Sequence, residues 1–235
     1  MAARWTSVAS VGAGLVLACA ALAGCSGSTS SPAPGVGPAQ ELATVAGTVD
    51  AASSVHLVLT SKNLPSTVSG VVSADGVGTH APAFQGTLQL VLAGTTASSK
   101  VVAVDGKVYA TLPFASTPSV VDPATFGAPD PARLFAQGTG LTSLLTATKD
   151  PVAGSSTRKG SEVLSTYSGS LPGTAVADLF VVGDRTGTFT VTFGVVPDGS
   201  QLRTVELTGP FYPGSTSTYD LVLDQYGAAV EISKP

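Results

Sequence analysis

Residues 101–112 read Val-Val-Ala-Val-Asp-Gly-Lys-Val-Tyr-Ala-Thr-Leu, two apolar runs separated by Asp105-Gly106. A two-residue Asp-Gly link is the mark of a tight hairpin, because both central residues of a type I′ turn take positive φ and this pair tolerates it. Similar punctuation recurs downstream. Pro197-Asp198-Gly199 separates FTVTFGVV from QLRTVELTG, and Gln225-Tyr226-Gly227 separates YDLVLD from AAVEIS. Hairpin arms run antiparallel, so these turns predict a meandering antiparallel sheet.

The arms are one-sided. Val55, Leu57 and Leu59 alternate with His56, Val58 and Thr60; Leu88, Leu90 and Leu92 alternate with Thr87, Gln89 and Val91; Phe189, Val191, Phe193 and Val195 alternate with Thr190, Thr192 and Gly194. A period of two puts each apolar set on one face of its strand, and that face needs a cover. Helical signals supply one. Pro38 suits a first turn, and Leu42, Val45, Ala46 and Val49 then fall at i, i+3, i+4 and i+7. Asp130-Pro131 is a cap with a first-turn proline ahead of ARLFAQ, and Leu141, Leu144 and Leu145 recur at helical spacing after Gly138 and Gly140. A third short helix is expected from Thr174 to Phe180. Strands flanking a helical insert, with no repeating βαβ unit, place the chain in the α+β class.

The N-terminus carries a different message. Arg4 and the terminal amine precede an apolar run from Val8 to Ala23, which ends in Leu22-Ala23-Gly24-Cys25. This is the grammar of a secretory signal, and the segment resembles a bacterial lipoprotein signal, cut before a cysteine whose thiol carries a diacylglycerol. Residues 1–24 are therefore expected to be a signal peptide, with Cys25 the lipidation site. Two other uses of the segment are open. A Cys19–Cys25 disulfide would link only this short stretch, and an uncleaved transmembrane anchor would be barely long enough, since a span needs about 20 apolar residues. Residues 26–37, SGSTSSPAPGVG, are small, polar or helix-breaking, so 25–37 is expected to be a lipidated, flexible tether. At about 3.3 Å per residue it would reach roughly 40 Å. Residues 38–235 are expected to form a single domain on the outer side of the membrane.

Composition narrows the chemistry. Only 11% of residues are charged and the net charge is −4, with no basic stripe to neutralise phosphates, so nucleic acid is excluded as a partner. Two histidines are present, His56 and His80. No Cys-Cys or His-x-x-x-His spacing could hold zinc, no Gly-x-Ser-x-Gly marks a nucleophile, and the 27 glycines form no phosphate loop. No metal or other cofactor is expected. Asp75, Asp122 and Asp184 lie beside Gly or Pro, where Asp commonly caps a turn. His56 lies on the strand face opposite Leu57 and Leu59, placed for an ordinary hydrogen bond.

In order along the chain come Ser54-Val55-His56-Leu57-Val58-Leu59-Thr60, then Gly70, Pro82 and Gly86, then Val104-Asp105-Gly106-Lys107-Val108-Tyr109-Ala110, then Asp122-Pro123-Ala124 and Gly140-Leu141 with Leu144-Leu145. Tyr219-Asp220-Leu221-Val222-Leu223, Tyr226-Gly227 and the final Lys234-Pro235 close the series. This succession resembles the mycobacterial LppX/LprA/LprF/LprG lipoproteins over nearly all of the mature chain. The resemblance implies a strongly curved antiparallel β half-barrel, with helices over the open side and an apolar cavity between. It implies a carrier rather than an enzyme, binding acylated lipids or glycolipids and moving them across the cell envelope. The expected partners are such lipids, the membrane through the Cys25 anchor, and a membrane lipid exporter, with the chain monomeric. The lipid-binding set is expected to be Leu88, Leu90, Leu92, Val55, Leu57, Leu59, Phe189, Val191 and Phe193. The family's tryptophan-bearing segment before the Asp-Pro has no counterpart, since the chain's one tryptophan is Trp5. The alternatives are a structural or interaction lipoprotein with a filled core, and a hydrolase, which would need a nucleophile, a base and an orienting acid within reach.

Overall fold

Asp105 and Gly106 take φ values of 54° and 68°, the left-handed pair that a type I′ turn requires. They join β4 (Thr95–Val104) to β5 (Lys107–Ala110), with Val104 opposite Lys107. The computed structural model describes residues 36–92, 94–112 and 115–235. The expected signal peptide, Cys25 and the tether as far as residue 35 lie outside the described residues.

In chain order, α1 (Pro38–Ala51) precedes β1 (Ser54–Lys62), β2 (Gly70–Thr79), β3 (Ala83–Leu92), β4, β5 and β6 (Ser119–Val121). Two 3₁₀ turns, Pro123–Phe126 and Pro131–Phe135, lead into α2 (Thr142–Ala147). Then follow β7 (Lys149–Ala153), β8 (Thr157–Lys159), β9 (Glu162–Pro172), α3 (Gly173–Phe180), β10 (Thr188–Val196), β11 (Gln201–Gly209) and β12 (Ser217–Asp224).

Among the described residues the strands make one twelve-stranded sheet, ordered β6-β5-β4-β3-β2-β1-β12-β11-β10-β9-β7, with β8 paired to β9. All the pairs are antiparallel. Two meanders are sewn together by the β1–β12 pair, where His56 faces Asp224 and Leu59 faces Leu221. The two end strands do not pair, so the curved sheet stays open. The helices lie over its apolar face. α1 buries the stripe Leu42, Val45, Ala46 and Val49 and packs against α2. α3 buries Val176, Ala177, Leu179 and Phe180.

The structure departs from the expected layout in three places. AAVEIS does not pair as the second arm of a closing hairpin, because β12 already has β1 and β11 on its two sides. The chain after Gln225 instead runs off as a tail, pinned where Gly227 N donates to Ser54 O (2.9 Å) and Ser54 Oγ donates to Ala228 O (2.6 Å). ARLFAQ forms a 3₁₀ turn rather than an α-helix, and strands β7, β8 and β9 occupy residues between the second and third helical signals, where the sequence carries no periodic pattern. Finally, Asp75 is not in a turn but within β2.

Candidate functional site

The sheet's apolar face is filled unevenly. Over β10, β11 and β12, Phe180, Phe189, Phe211 and Tyr219 pack ring against ring, with centroids 4.5 Å apart for Phe211–Tyr219 and 4.8 Å for Phe189–Phe211. Over β1 to β5 the inward positions carry mainly Leu, Val and Ala, with Phe84 the one ring and Gly76 and Gly78 leaving room, and the cover is residues 122–135 with their two 3₁₀ turns. Two apolar cavities lie under this segment. One, of about 50 Å³, is bounded by Leu88, Leu90, Leu92, Val101, Val108 and Phe126 among others. The second, of about 30 Å³, lies among Leu57, Leu59, Phe84, Leu134, Phe180 and Tyr219. Leu88, Pro129 and Pro131 border both, so they form a shared wall.

Among the described residues, each cavity has one polar side chain in its lining. In the first it is Ser99, whose Oγ donates to Thr111 O at 3.0 Å. In the second it is Tyr219, whose hydroxyl lies 3.1 Å from that of Tyr212. Voids walled by hydrocarbon stay dry, since a water there would lack the two to four polar partners it needs.

The covering segment is built from turn chemistry. Asp122 Oδ1 accepts from Ala124 N (3.0 Å) and caps the first 3₁₀ turn, which Gly127 ends at a φ of 66°. A side chain on Gly127 would meet Ser69 O at 2.7 Å as well as adopt an unfavourable φ, so both space and backbone demand glycine there. Asp130 Oδ1 accepts from Ala132 N (3.0 Å) and caps the second turn, as its sequence setting predicts.

The segment's two ends are held differently. At its C-terminal end the Phe135 ring stacks on Phe84, 6.1 Å between centroids at 21°, and occupies the room left by the absent side chain of Gly78. His80 Nδ1 lies 2.6 Å from Phe135 O, and its Nε2 lies 2.8 Å from Val49 O, tying the turn to α1. Asp50 adds bonds from Gly138 N and Thr142 Oγ1, each 3.0 Å. At the N-terminal end the hold among the described residues is the three-residue edge strand β6, with Val120 59% exposed. Outside the segment, an open groove of about 740 Å³ separates Asp130 and Arg133 from Val230 and Ile232 of the tail.

Of the residues singled out from sequence, Leu88, Leu90 and Leu92 line the first cavity, while Leu57, Leu59 and again Leu88 line the second. Val55, Phe189, Val191 and Phe193 are fully buried in the packed core and border neither cavity. Sequence reasoning did not single out Val101, Val108 or Ala110 as lining, although the alternation around Asp105-Gly106 marks them as one face. Pro129 and Pro131 leave no such periodic signal.

The ionisable groups are engaged away from the cavities. His56 Nδ1 lies 2.7 Å from Asp224 Oδ1 and Nε2 3.0 Å from Asp75 Oδ1. Partial burial disfavours the imidazolium, but the hydrogen bonds and negative charge of Asp75 and Asp224 outweigh it and hold the pKa above its ordinary value of 6.5. Asp184 accepts from Thr186 Oγ1 (2.7 Å) and Thr186 N (2.9 Å), which hold its carboxyl below the usual range. Among the described residues, no three His, Cys, Asp or Glu side chains converge as a metal-binding group.

With this geometry in view, comparison with known proteins gives a consistent result. The family model described as LppX_LprAFG lipoprotein matches residues 37–232. The structure is similar to that of LprF from Mycobacterium bovis, with a TM-score of 0.69 at 19% identity, covering 84% of this chain and 96% of the other. It is also similar to the lipoprotein LppX from Mycobacterium tuberculosis, with a TM-score of 0.61 at 15% identity, covering 83% and 97%. At these identities the likeness is one of fold: a curved, open antiparallel sheet covered by helices. No curated protein sequence matches the chain.

Proposed function

The chain belongs to the LppX_LprAFG lipoprotein family, and from that premise we propose that it binds acylated lipids or glycolipids between the sheet and residues 122–135. It carries them across the cell envelope, held to the outer face of the membrane by a lipid on Cys25 and handing its cargo to or from a membrane lipid exporter. The observation that carries this reading is the pair of apolar cavities meeting at one wall beneath a cover fastened at one end. Ligand pockets generally measure about 300–1,000 Å³, far above the 50 and 30 Å³ seen here. Loading therefore requires the cover to lift. Its anchorage at Phe135 and His80, its three-residue hold at β6 and the open groove outside it favour movement about the C-terminal end. Leu57, Leu59, Leu88, Leu90 and Leu92 make the first contact with acyl chains, and the deeper Val55, Phe189, Val191 and Phe193 form the floor behind them. No catalysis is assigned, since both histidines are bonded elsewhere and Ser99 spends its proton on a carbonyl.

The small cavity volume favours one competing reading, a structural lipoprotein whose core is simply filled. Organic extracts of purified protein lacking its anchor, analysed by mass spectrometry, separate the two when combined with Leu90→Trp. A carrier yields bound lipid in the wild type, and the variant stays folded while losing it. A filled core yields none, and the larger ring costs about 1–3 kcal/mol by overpacking. The anchor is tested separately. Cys25→Ser should leave the membrane fraction or accumulate as uncleaved precursor, and normal processing with retention on the membrane would refute lipidation at this residue.

A further inference from the structure

An apolar cleft can hold hydrocarbon, but by itself it cannot recognise where the hydrocarbon is joined to something polar. Of the two polar side chains in the cavity linings, Ser99 is fully committed: its single proton is shared between Thr111 O (3.0 Å) and Lys100 O (3.3 Å). The Tyr212–Tyr219 pair is not. A phenol carries one donor and accepting lone pairs, so two facing hydroxyls bring two protons and use one between them. Among the described residues each hydroxyl has the other as its side-chain partner, which leaves one proton without an acceptor. Both residues are deeply buried, 6% exposed for Tyr212 and 2% for Tyr219, where an unmet donor is expensive. Burial also pushes the Tyr219 hydroxyl well above its ordinary pKa, so it remains a donor at every physiological pH.

The pair's position is built rather than incidental. A side chain on Gly70 would run into the Tyr212 hydroxyl, so glycine at the start of β2 is what admits it. The bond itself, 3.1 Å, lies at the loose end for O–H···O contacts, as suits a pair that is not fully satisfied. Tyr219 borders the second cavity directly, beside Gly127, Pro129 and Leu134 of the covering segment.

We infer that Tyr219 is the polar anchor of the cleft: Tyr212 donates to Tyr219, and Tyr219 donates its own proton to a carbonyl oxygen in the linkage region of an acyl lipid, an ester or amide. This rests on the lipid-binding reading above and adds the group that would orient the ligand. A donor inside hydrocarbon selects strongly, because a ligand without the matching acceptor leaves it unpaired.

The test uses methyl palmitate and octadecane, two probes of equal chain length that differ in the ester. Their partitioning into the folded domain is measured for the wild type, Tyr219→Phe and Tyr212→Phe. One hydrogen bond corresponds to about a five- to tenfold preference, so Tyr219→Phe should lower the ester-to-alkane ratio by that factor while octadecane binding stays unchanged. Tyr212→Phe, which frees Tyr219, should keep most of the preference. A role in packing alone would shift both probes together, and an unchanged ratio in Tyr219→Phe overturns the inference. Should that variant not fold, the carbonyl stretch of isotope-labelled methyl palmitate in the wild type decides: a band lowered by hydrogen bonding supports the assignment, and a band at its hydrocarbon-solvent frequency refutes it. A wild type that takes up neither probe brings down the lipid-binding reading itself.

Discussion

Across the sheet's apolar face, the β9–β12 meander and the β1–β6 meander solve the same covering problem with different side chains. In the first, four rings from α3, β10, β12 and the β11–β12 connection meet with centroids 4.5 to 6.1 Å apart. In the second, the inward residues are mainly aliphatic, and two further rings, Phe84 and Phe135, sit where Gly76, Gly78 and Gly86 leave space for them. The added ring volume there is offset by missing side chains beneath it. Both meanders bury apolar residues thoroughly, and yet the two enclosed cavities are bordered chiefly by the second. What leaves a cleft is a shortage of side-chain volume facing a cover made of turns.

The contrast can be broken by mutation. Phe193→Ala, in a fully buried site, should cost about 3–5 kcal/mol, whereas Leu90→Ala, half-buried beside an existing void, should cost no more than about 2 kcal/mol. Urea unfolding of the two variants measures the difference, and equal losses would mean that the two sides are equally well packed. Gly78→Ala tests the glycine-for-ring exchange. Its methyl group would push into the Phe135 ring, so a loss of about 1–3 kcal/mol is expected, together with faster proteolysis within residues 122–135. Unchanged cleavage there would show that the segment is not fastened through Phe135.

The smallest effect lies at the seam between the meanders. His56 has its pKa raised in the folded state, so its pairing with Asp75 and Asp224 stabilises fully below the ordinary value of 6.5, and that contribution fades as pH rises through the folded value. The carboxylates are well exposed, 70% and 41%, which limits the effect to under about 1 kcal/mol. Melting curves of the wild type and His56→Gln should differ at pH 5.5 and converge above neutrality. A gap that stays constant with pH would assign the effect to packing.

Where the sequence announces its structure, it does so by periodicity. The alternation at Leu57–Leu59, Leu88–Leu92 and Phe189–Phe193 marks real strands, and the Leu42–Val49 stripe marks α1, because most of the side chains that define each period are buried, Leu90 and Leu92 being half-buried beside the first cavity. β2 is silent for the opposite reason: two of its inward positions are glycines filled by rings from elsewhere, so no apolar residue appears at the expected interval. β9 is silent because residues 165–170 are half-buried Ser, Thr, Tyr and Gly, which show neither a polar nor an apolar face. The cleft was legible only as one wall. Which leucines face empty space and which face another ring depends on the turns at 122–135, whose prolines and glycine fix a path that no pattern of hydrophobicity encodes.

An open sheet also has two borders, and their composition affects how copies of the chain meet one another. Free strand edges invite a second molecule to extend the ladder. Here one border is β6, three residues long. The other is β7, Lys-Asp-Pro-Val-Ala, whose pairing slips between Lys149 and Val152 and whose Pro151 has no amide proton to offer, together with the three-residue β8, which also pairs with β9. Neither presents enough regularly spaced peptide groups to template a neighbour, so the molecule can leave its barrel unclosed and still be crowded against its own kind without zipping edge to edge.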